Sequence, residues 1–259
     1  MRLHTHEWGD PDAPPLVCLH GVTGHGERFR RLAENRWAAQ FRIVAPDLRG
    51  HGRSAWEPPW TFETHVADLI ETVDALGIRE ADWVGHSFGG RLVLELAALY
   101  PERIRRAVLL DPAIDVLPHV AQSAAEDERV EPIYTSFEDY AEKRGDGPRT
   151  PRALVLEDAE LHCELLPDGR LRRRTCQPAM ISIFGELASD PPPPAALRAP
   201  TLLLHAPSYG LVRDEHLAAY AGRAEIAALP GMHIVMWDAF DEVADAVERF
   251  LLEDARAQG

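Results

Sequence analysis

Gly85-His86-Ser87-Phe88-Gly89 sets a hydroxyl between two glycines. A serine becomes a useful nucleophile when a neighbouring base takes its proton. Residues 81–84 before it are β-prone and residues 90–99 after it are helix-prone. Strand, tight turn and helix is the setting in which the serine of a Gly-x-Ser-x-Gly stretch stands exposed at a strand end. Flanking glycines have no Cβ to clash in so sharp a turn. The helix N-terminus beyond favours negative charge. The plain alternative is an N-cap serine in a chance turn, which needs no partner. A nucleophile needs one, and His233 is the expected base. It closes Leu229-Pro230-Gly231-Met232-His233, between the last strand-like run and the last helical one, where Gly231 lets the loop bend.

The other histidines read differently. His20 is expected to shape a loop at a strand end. The His86 ring is expected to point away from the reacting face. His51 and His65 read as a turn residue and a helix-surface residue. His4 and His6 share one strand face but lack a third ligand, so no metal is expected.

Placing Ser87 and His233 together requires a sheet. Short β runs at 16–19, 41–45, 82–85, 106–110, 201–204 and, more weakly, 224–229 alternate with helical patterns. That rhythm predicts an α/β fold with a mostly parallel sheet flanked by helices. Residues 3–8 are expected to add an edge strand. Within 61–76, Phe62, Val66, Leu69, Ile70, Val73 and Leu76 recur at three- and four-residue intervals and predict one buried helix face. Thr61 can cap that helix and Gly77 can end it. A last helix is expected over 238–252, with Phe240, Val243, Val247, Phe250 and Leu251 on one side. The rhythm stops between 112 and 199. That stretch holds helical fragments, an acidic run at 126–131, a Gly/Pro-rich turn at 145–151 and prolines at 191–194. The expected organisation is a core of 1–111 and 200–259 with a mainly helical lid, 112–199, inserted.

A chain of 259 residues suits one large α/β domain, and a net charge of −15 argues against nucleic acid or an anionic membrane as partner. No run approaches a membrane span, and no apolar leader is visible at the N-terminus, so a cytoplasmic protein is expected. Cys18, Cys163 and Cys176 have no disulfide or zinc spacing. Oligomeric state is left open.

Four segments together resemble the α/β-hydrolase-fold serine hydrolases. They are His20-Gly21-Val22 after the first core strand, 47–54 (DLRGHGRS) after the next, the Ser87 pentapeptide, and the His233 loop. They span nearly the whole chain in the family's order. In most of the family the triad acid follows the strand after the lid, where this chain has Tyr209. In a minority it follows the strand before the lid, and there Asp111 stands at a C-terminal strand tip. The resemblance thus implies Asp111 as the acid, with Asp115 and Asp214 as alternatives. It implies an oxyanion hole from the N–H groups of Val22 and Phe88. It implies anchoring roles for Asp47 and Arg49.

The expected activity is cleavage of a small or medium carboxylic ester or lactone through an acyl-Ser87 intermediate, without cofactor or metal. C–C bond, thioester or perhydrolase chemistry on the same triad is one alternative. A slow-turnover ligand receptor or pseudoenzyme is another. In the lid, Tyr134, Phe137 and Tyr140 on one fragment and Met180, Ile181, Ile183 and Phe184 on another are candidates for an apolar substrate pocket. Serving as lid core is the open alternative for all of them.

Overall fold

A computed structural model of the chain describes residues 1–145, 147 and 149–257, with side chains described through residue 252. Its strands are β1 (Thr5–Trp8), β2 (Pro15–Leu19), β3 (Arg42–Pro46), β4 (Ala81–His86), β5 (Ile104–Leu110), β6 (Ile133–Tyr134), β7 (Cys163–Leu165), β8 (Leu171–Arg173), β9 (Thr201–His205) and β10 (Glu225–Ala228). Seven form one sheet in the order β1-β3-β2-β4-β5-β9-β10. Only β1 runs antiparallel, against β3; the other pairings are parallel. Parallel strands covered on both faces read as continuous apolar runs, and Leu16 to Leu19 and Leu202 to Leu204 are fully buried.

Alternate side chains serve opposite faces of the sheet. Val17, Leu19, Val44, Trp83 and Leu109 pack with α1 (Phe62–Ala75) and α2 (Phe88–Leu99). Leu16, Cys18, Ile43, Val84 and Val108 pack on the other face with the last helix. α1 forms where its spacing predicts. Thr61 Oγ1 accepts from Thr64 N at 3.3 Å, and Gly77 leaves the helix at φ 76°. Phe62, Val66, Leu69 and Val73 are buried. His65, expected on the helix surface, is buried instead, edge-on to Phe88 at 5.1 Å. His51 is buried too, edge-on to His20 at 4.8 Å.

Between β5 and β9 the chain forms α3 (Pro118–Asp127), α4 (Phe137–Arg144), α5 (Arg152–His162) and α6 (Gln177–Leu187). It also forms a small antiparallel sheet, β6-β8-β7, which the sequence reading lacks. Strands of two or three residues carry too little alternation to be read. Of the turn expected at 145–151, residues 146 and 148 lie outside the described residues. Then follow α7 (Asp214–Tyr220) and α8 (Phe240–Ala257); a separate helical turn, Val235–Asp238, precedes α8. The three cysteines are buried and unpaired. Among the described residues no helix is long and apolar enough to cross a membrane.

Candidate active site

The parallel sheet brings the C-terminal ends of β4, β5 and β10 to one edge, and the chemistry-bearing residues follow those ends. Ser87 is the first residue after β4, with φ 54° and ψ −117°. Few L-residues tolerate that backbone, and it persists only where the surroundings enforce it. Here Ser87 N donates to Leu110 O at 3.0 Å, while Ser87 O accepts from Arg91 N at 3.1 Å and Ala113 N at 3.0 Å. The flanking glycines supply room and do not take the strain. A Cβ on Gly85 would meet Gly89 O at 2.4 Å, and one on Gly89 would meet Leu19 O at 2.2 Å.

His233 and Asp111 complete a row with Ser87. Ser87 Oγ donates to His233 Nε2 at 2.8 Å, and His233 Nδ1 donates to Asp111 Oδ2 at 2.7 Å, the tautomer following from the partners. Asp111 directly follows β5, is fully buried, and has φ 40°. Its second oxygen accepts from Ala206 N at 3.0 Å. The carboxylate therefore faces one way and holds the imidazole by one edge. The loop carrying His233 turns at Gly231, φ 102°, and Asp238 Oδ2 accepts from Met232 N at 2.6 Å.

Two neighbours of His233 escape sequence reasoning. His86 Nε2 donates to His233 O at 2.9 Å. Burial holds the His86 imidazole well below its usual value, with help from His233, so it stays a neutral donor. Its ring lies 4.7 Å from that of His233, which differs from the expectation that it points away. Tyr209 stacks on His233 at 4.6 Å and 15°. The position that carries an acid in most of the resembled family thus presents a ring face to the imidazole. Asp115 instead pairs with Arg213 and with His216 at 3.2 Å, and Asp214 opens α7; neither joins the row.

Gly21 and Val22 run beside the serine. His20 Nδ1 donates to Gly21 O at 2.8 Å, and His20 Nε2 accepts from Leu48 N at 3.0 Å, which ties this loop to the next. Val22 N has no acceptor among the described residues, and Phe88 begins α2, where an N–H has no helical partner. Thr23 follows with φ 62°. Thr23, Ser87 and Asp111 are the non-glycine residues with positive φ among the described residues, and all three stand at this edge. Asp47 accepts from Gly26 N at 2.8 Å and Arg53 N at 2.9 Å, and Arg49 grips Asp68 at 2.6 and 2.8 Å. Asp47 also supplies the third ligand-type group that His4 and His6 lacked, the three atoms lying within 4.8 Å. Its oxygens are already engaged by those amides and by His6 Nε2 at 3.2 Å, so the cluster reads as a loop anchor.

A cavity of about 370 Å³ opens over the row. Val116, Val120, Phe184, Leu187 and Leu211 form an apolar wall. Of the candidate pocket residues Phe184 lines it, and so does Tyr140. Tyr134, Phe137 and Met180 do not, and this corrects the sequence reading. Tyr134 is buried in β6 against Tyr140 at 4.9 Å. Met180, on α6, is fully buried in the core, and Phe137 packs on the opposite cluster. An apolar residue on a short helix looks the same to sequence reasoning whether it turns to the cavity or to the core.

The other wall is polar and was not foreseen. Arg28 donates to both oxygens of Asp158, at 2.9 and 3.1 Å, and Tyr140 Oη donates to Asp158 Oδ2 at 2.9 Å. His25 Nε2 reaches Asp158 Oδ1 at 2.8 Å. Burial alone would raise the Asp158 carboxyl, but Arg28 and His25 outweigh it and hold it well below the usual carboxylate range. One signal was available. Val155, Asp158, Ala159 and His162 share the buried face of α5, so two polar residues sit at core positions and need partners.

A family model described as alpha/beta hydrolase fold matches residues 14–151. The chain is 35% identical over 224 residues to Lipase LipV of Mycobacterium tuberculosis, covering 85% of this chain and 84% of that one. A crystal structure of E-2-(acetamidomethylene)succinate hydrolase superposes with a TM-score of 0.87 at 24% identity, over 96% of this chain and 94% of that one. The enol-lactonase of Burkholderia xenovorans LB400 superposes with a TM-score of 0.78 at 21% identity, over 96% of each chain. At these identities the two structural likenesses speak to the fold alone.

Proposed function

The chain belongs to the α/β-hydrolase fold family, and from that premise we propose that it hydrolyses a small or medium carboxylic ester or lactone through an acyl-Ser87 intermediate. The observation that carries this reading is the unbroken row Ser87–His233–Asp111, with contacts of 2.8 and 2.7 Å. Names among the relatives, a lipase and an esterase, support the ester class.

The mechanism follows from the row. Ser87 Oγ attacks the carbonyl carbon while His233 Nε2 takes its proton. Asp111 keeps Nδ1 protonated and stabilises the imidazolium that forms. The carbonyl oxygen, now negative, is received by the N–H groups of Phe88 and Val22, and each such donor is worth roughly 10²–10³ in rate. His233 then protonates the leaving alcohol, the acyl group stays on Ser87, and a water activated by His233 releases the acid. A cavity of about 370 Å³ lies near the lower end of ligand pockets, which suits a small or medium acyl group. Residues 112–199 act as a lid that supplies the cavity's outer walls.

The test is hydrolysis of 4-nitrophenyl esters from acetate to decanoate by wild type and Ser87→Ala. Wild-type turnover should fall by roughly 10⁵–10⁶-fold in the variant, with short to medium chains preferred. Equal turnover by both proteins would remove Ser87 from the chemistry.

A further inference from the structure

The cavity wall carries a positive charge that the mechanism does not use. Arg144 ends α4, lines the cavity and donates to Thr23 Oγ1 at 3.0 Å. Among the described residues it forms no ion pair. Three of the charges around it are already matched. Lys143 pairs with Asp139 at 2.8 Å, Arg28 is engaged with Asp158, and Glu128 is held by Arg173 at 2.6 Å. Asp127, at the end of α3, is the remaining acid of the lining, and it too has no ion pair among the described residues. Although the chain carries a net charge of −15, a guanidinium on the cavity wall with no carboxylate in contact among the described residues is a site for an anion.

Its position says where that anion sits. A Cβ on Gly21 would stand 3.3 Å from Ser87 Oγ, and Thr23 is two residues further along the same strip. The guanidinium is thus on the order of 10 Å from the nucleophile by chain spacing. Thr23 Oγ1 accepts from Arg144, so its own proton is left to donate. The geometry points to an acyl group that ends in a carboxylate a few bonds from the scissile carbonyl. Arg144 binds that carboxylate with the Thr23 hydroxyl as second donor, and the methylenes between span the cavity. This rests on the ester-hydrolase reading above and narrows its substrate to half-esters of short dicarboxylic acids.

The experiment compares kcat/KM for mono-4-nitrophenyl glutarate and for neutral 4-nitrophenyl pentanoate at low ionic strength. Wild type favours the glutarate. In Arg144→Gln the glutarate-to-pentanoate ratio falls roughly ten- to hundredfold, the worth of a charge-assisted hydrogen bond. Arg144→Lys keeps part of the preference. Lys143→Gln, removing a charge already held by Asp139, moves the ratio by no more than about twofold, as for an exposed ion pair. An unchanged ratio in Arg144→Gln, or an equal loss on both esters, overturns the assignment. If wild type cleaves neither ester, the hydrolase reading fails and glutarate itself decides the anion site. A rise in the wild-type thermal midpoint with glutarate that Arg144→Gln abolishes supports it, and no rise overturns it.

Discussion

The sheet edge and the inserted wall of the cavity solve the same problem, holding polar groups in place, by different means. At the sheet edge the backbone does it. Ser87 and Asp111 sit in positive-φ conformations locked by Leu110 O, Leu204 O and the Ala206 amide. In the insertion no described non-glycine residue has positive φ, and a buried carboxylate does the holding: Asp158 gathers His25, Arg28 and Tyr140. Backbone strain gives a fixed geometry at Ser87 and Asp111. A charged joint gives a wall whose chemistry varies with its side chains. The difference suits a fixed row of side chains behind a wall whose character its side chains set.

That contrast can be broken from the insertion side first. Asp158→Asn removes the charge that compensates buried Arg28, and should cost about 3–5 kcal/mol of unfolding free energy. Urea unfolding measures it, and a loss under about 1 kcal/mol would mean the joint is ornamental.

Acid should reveal the buried histidines next. Burial lowers the imidazole values of His51 to about 4 and His65 to about 3. The unfolded chain takes protons near 6.5 while the folded one refuses them until far lower, so the stability they contribute is full above about pH 6.5 and is lost as pH falls toward 4. Each contributes a slope of up to about 1.4 kcal/mol per pH unit in that window. The thermal midpoint should fall between pH 7 and pH 5, and His65→Phe should flatten the fall; a slope unmoved by that substitution would assign the acid sensitivity elsewhere.

Strain at the edge gives a smaller, cleaner signal. Ser87→Gly and Ser87→Ala should both be inactive, yet glycine accepts φ 54° without a Cβ penalty. Ser87→Gly should be more stable than Ser87→Ala by about 1 kcal/mol. Equal stability would show that the backbone there is relaxed. The smallest effect belongs to Tyr209, whose ring covers His233. Tyr209→Ala should lower kcat by roughly two- to tenfold, the worth of one aromatic stack, while Tyr209→Phe should not.

The same contrast explains what the sequence disclosed. Parallel core strands announce themselves by apolar runs, and α1 by its spacing, so a mostly parallel sheet and the positions of its strands along the chain were legible. Ser87 and Asp111 each follow such a strand, His233 follows the weaker edge strand β10, and the structure brings the three into contact. The pocket was not legible in this way. Tyr134, Phe137, Met180 and Phe184 have the same apolar character, and only the packing of α4, α6 and β6 decides that Phe184 alone of these turns to the cavity. Arg28 and Asp158 are 130 residues apart, and no local pattern joins them. His86 and Tyr209 touch His233 through loop conformation, which neither periodicity nor spacing encodes.

The central claim is that the acid of the row is delivered from the end of β5, not from the strand after the insertion. Asp111→Asn tests it most directly, with kcat/KM on 4-nitrophenyl butyrate measured beside a circular dichroism spectrum. The account predicts a folded protein whose kcat/KM is lower by roughly 10³–10⁴-fold. A folded Asp111→Asn within tenfold of wild type, with the loss falling on Asp115→Asn or Asp214→Asn instead, would contradict it.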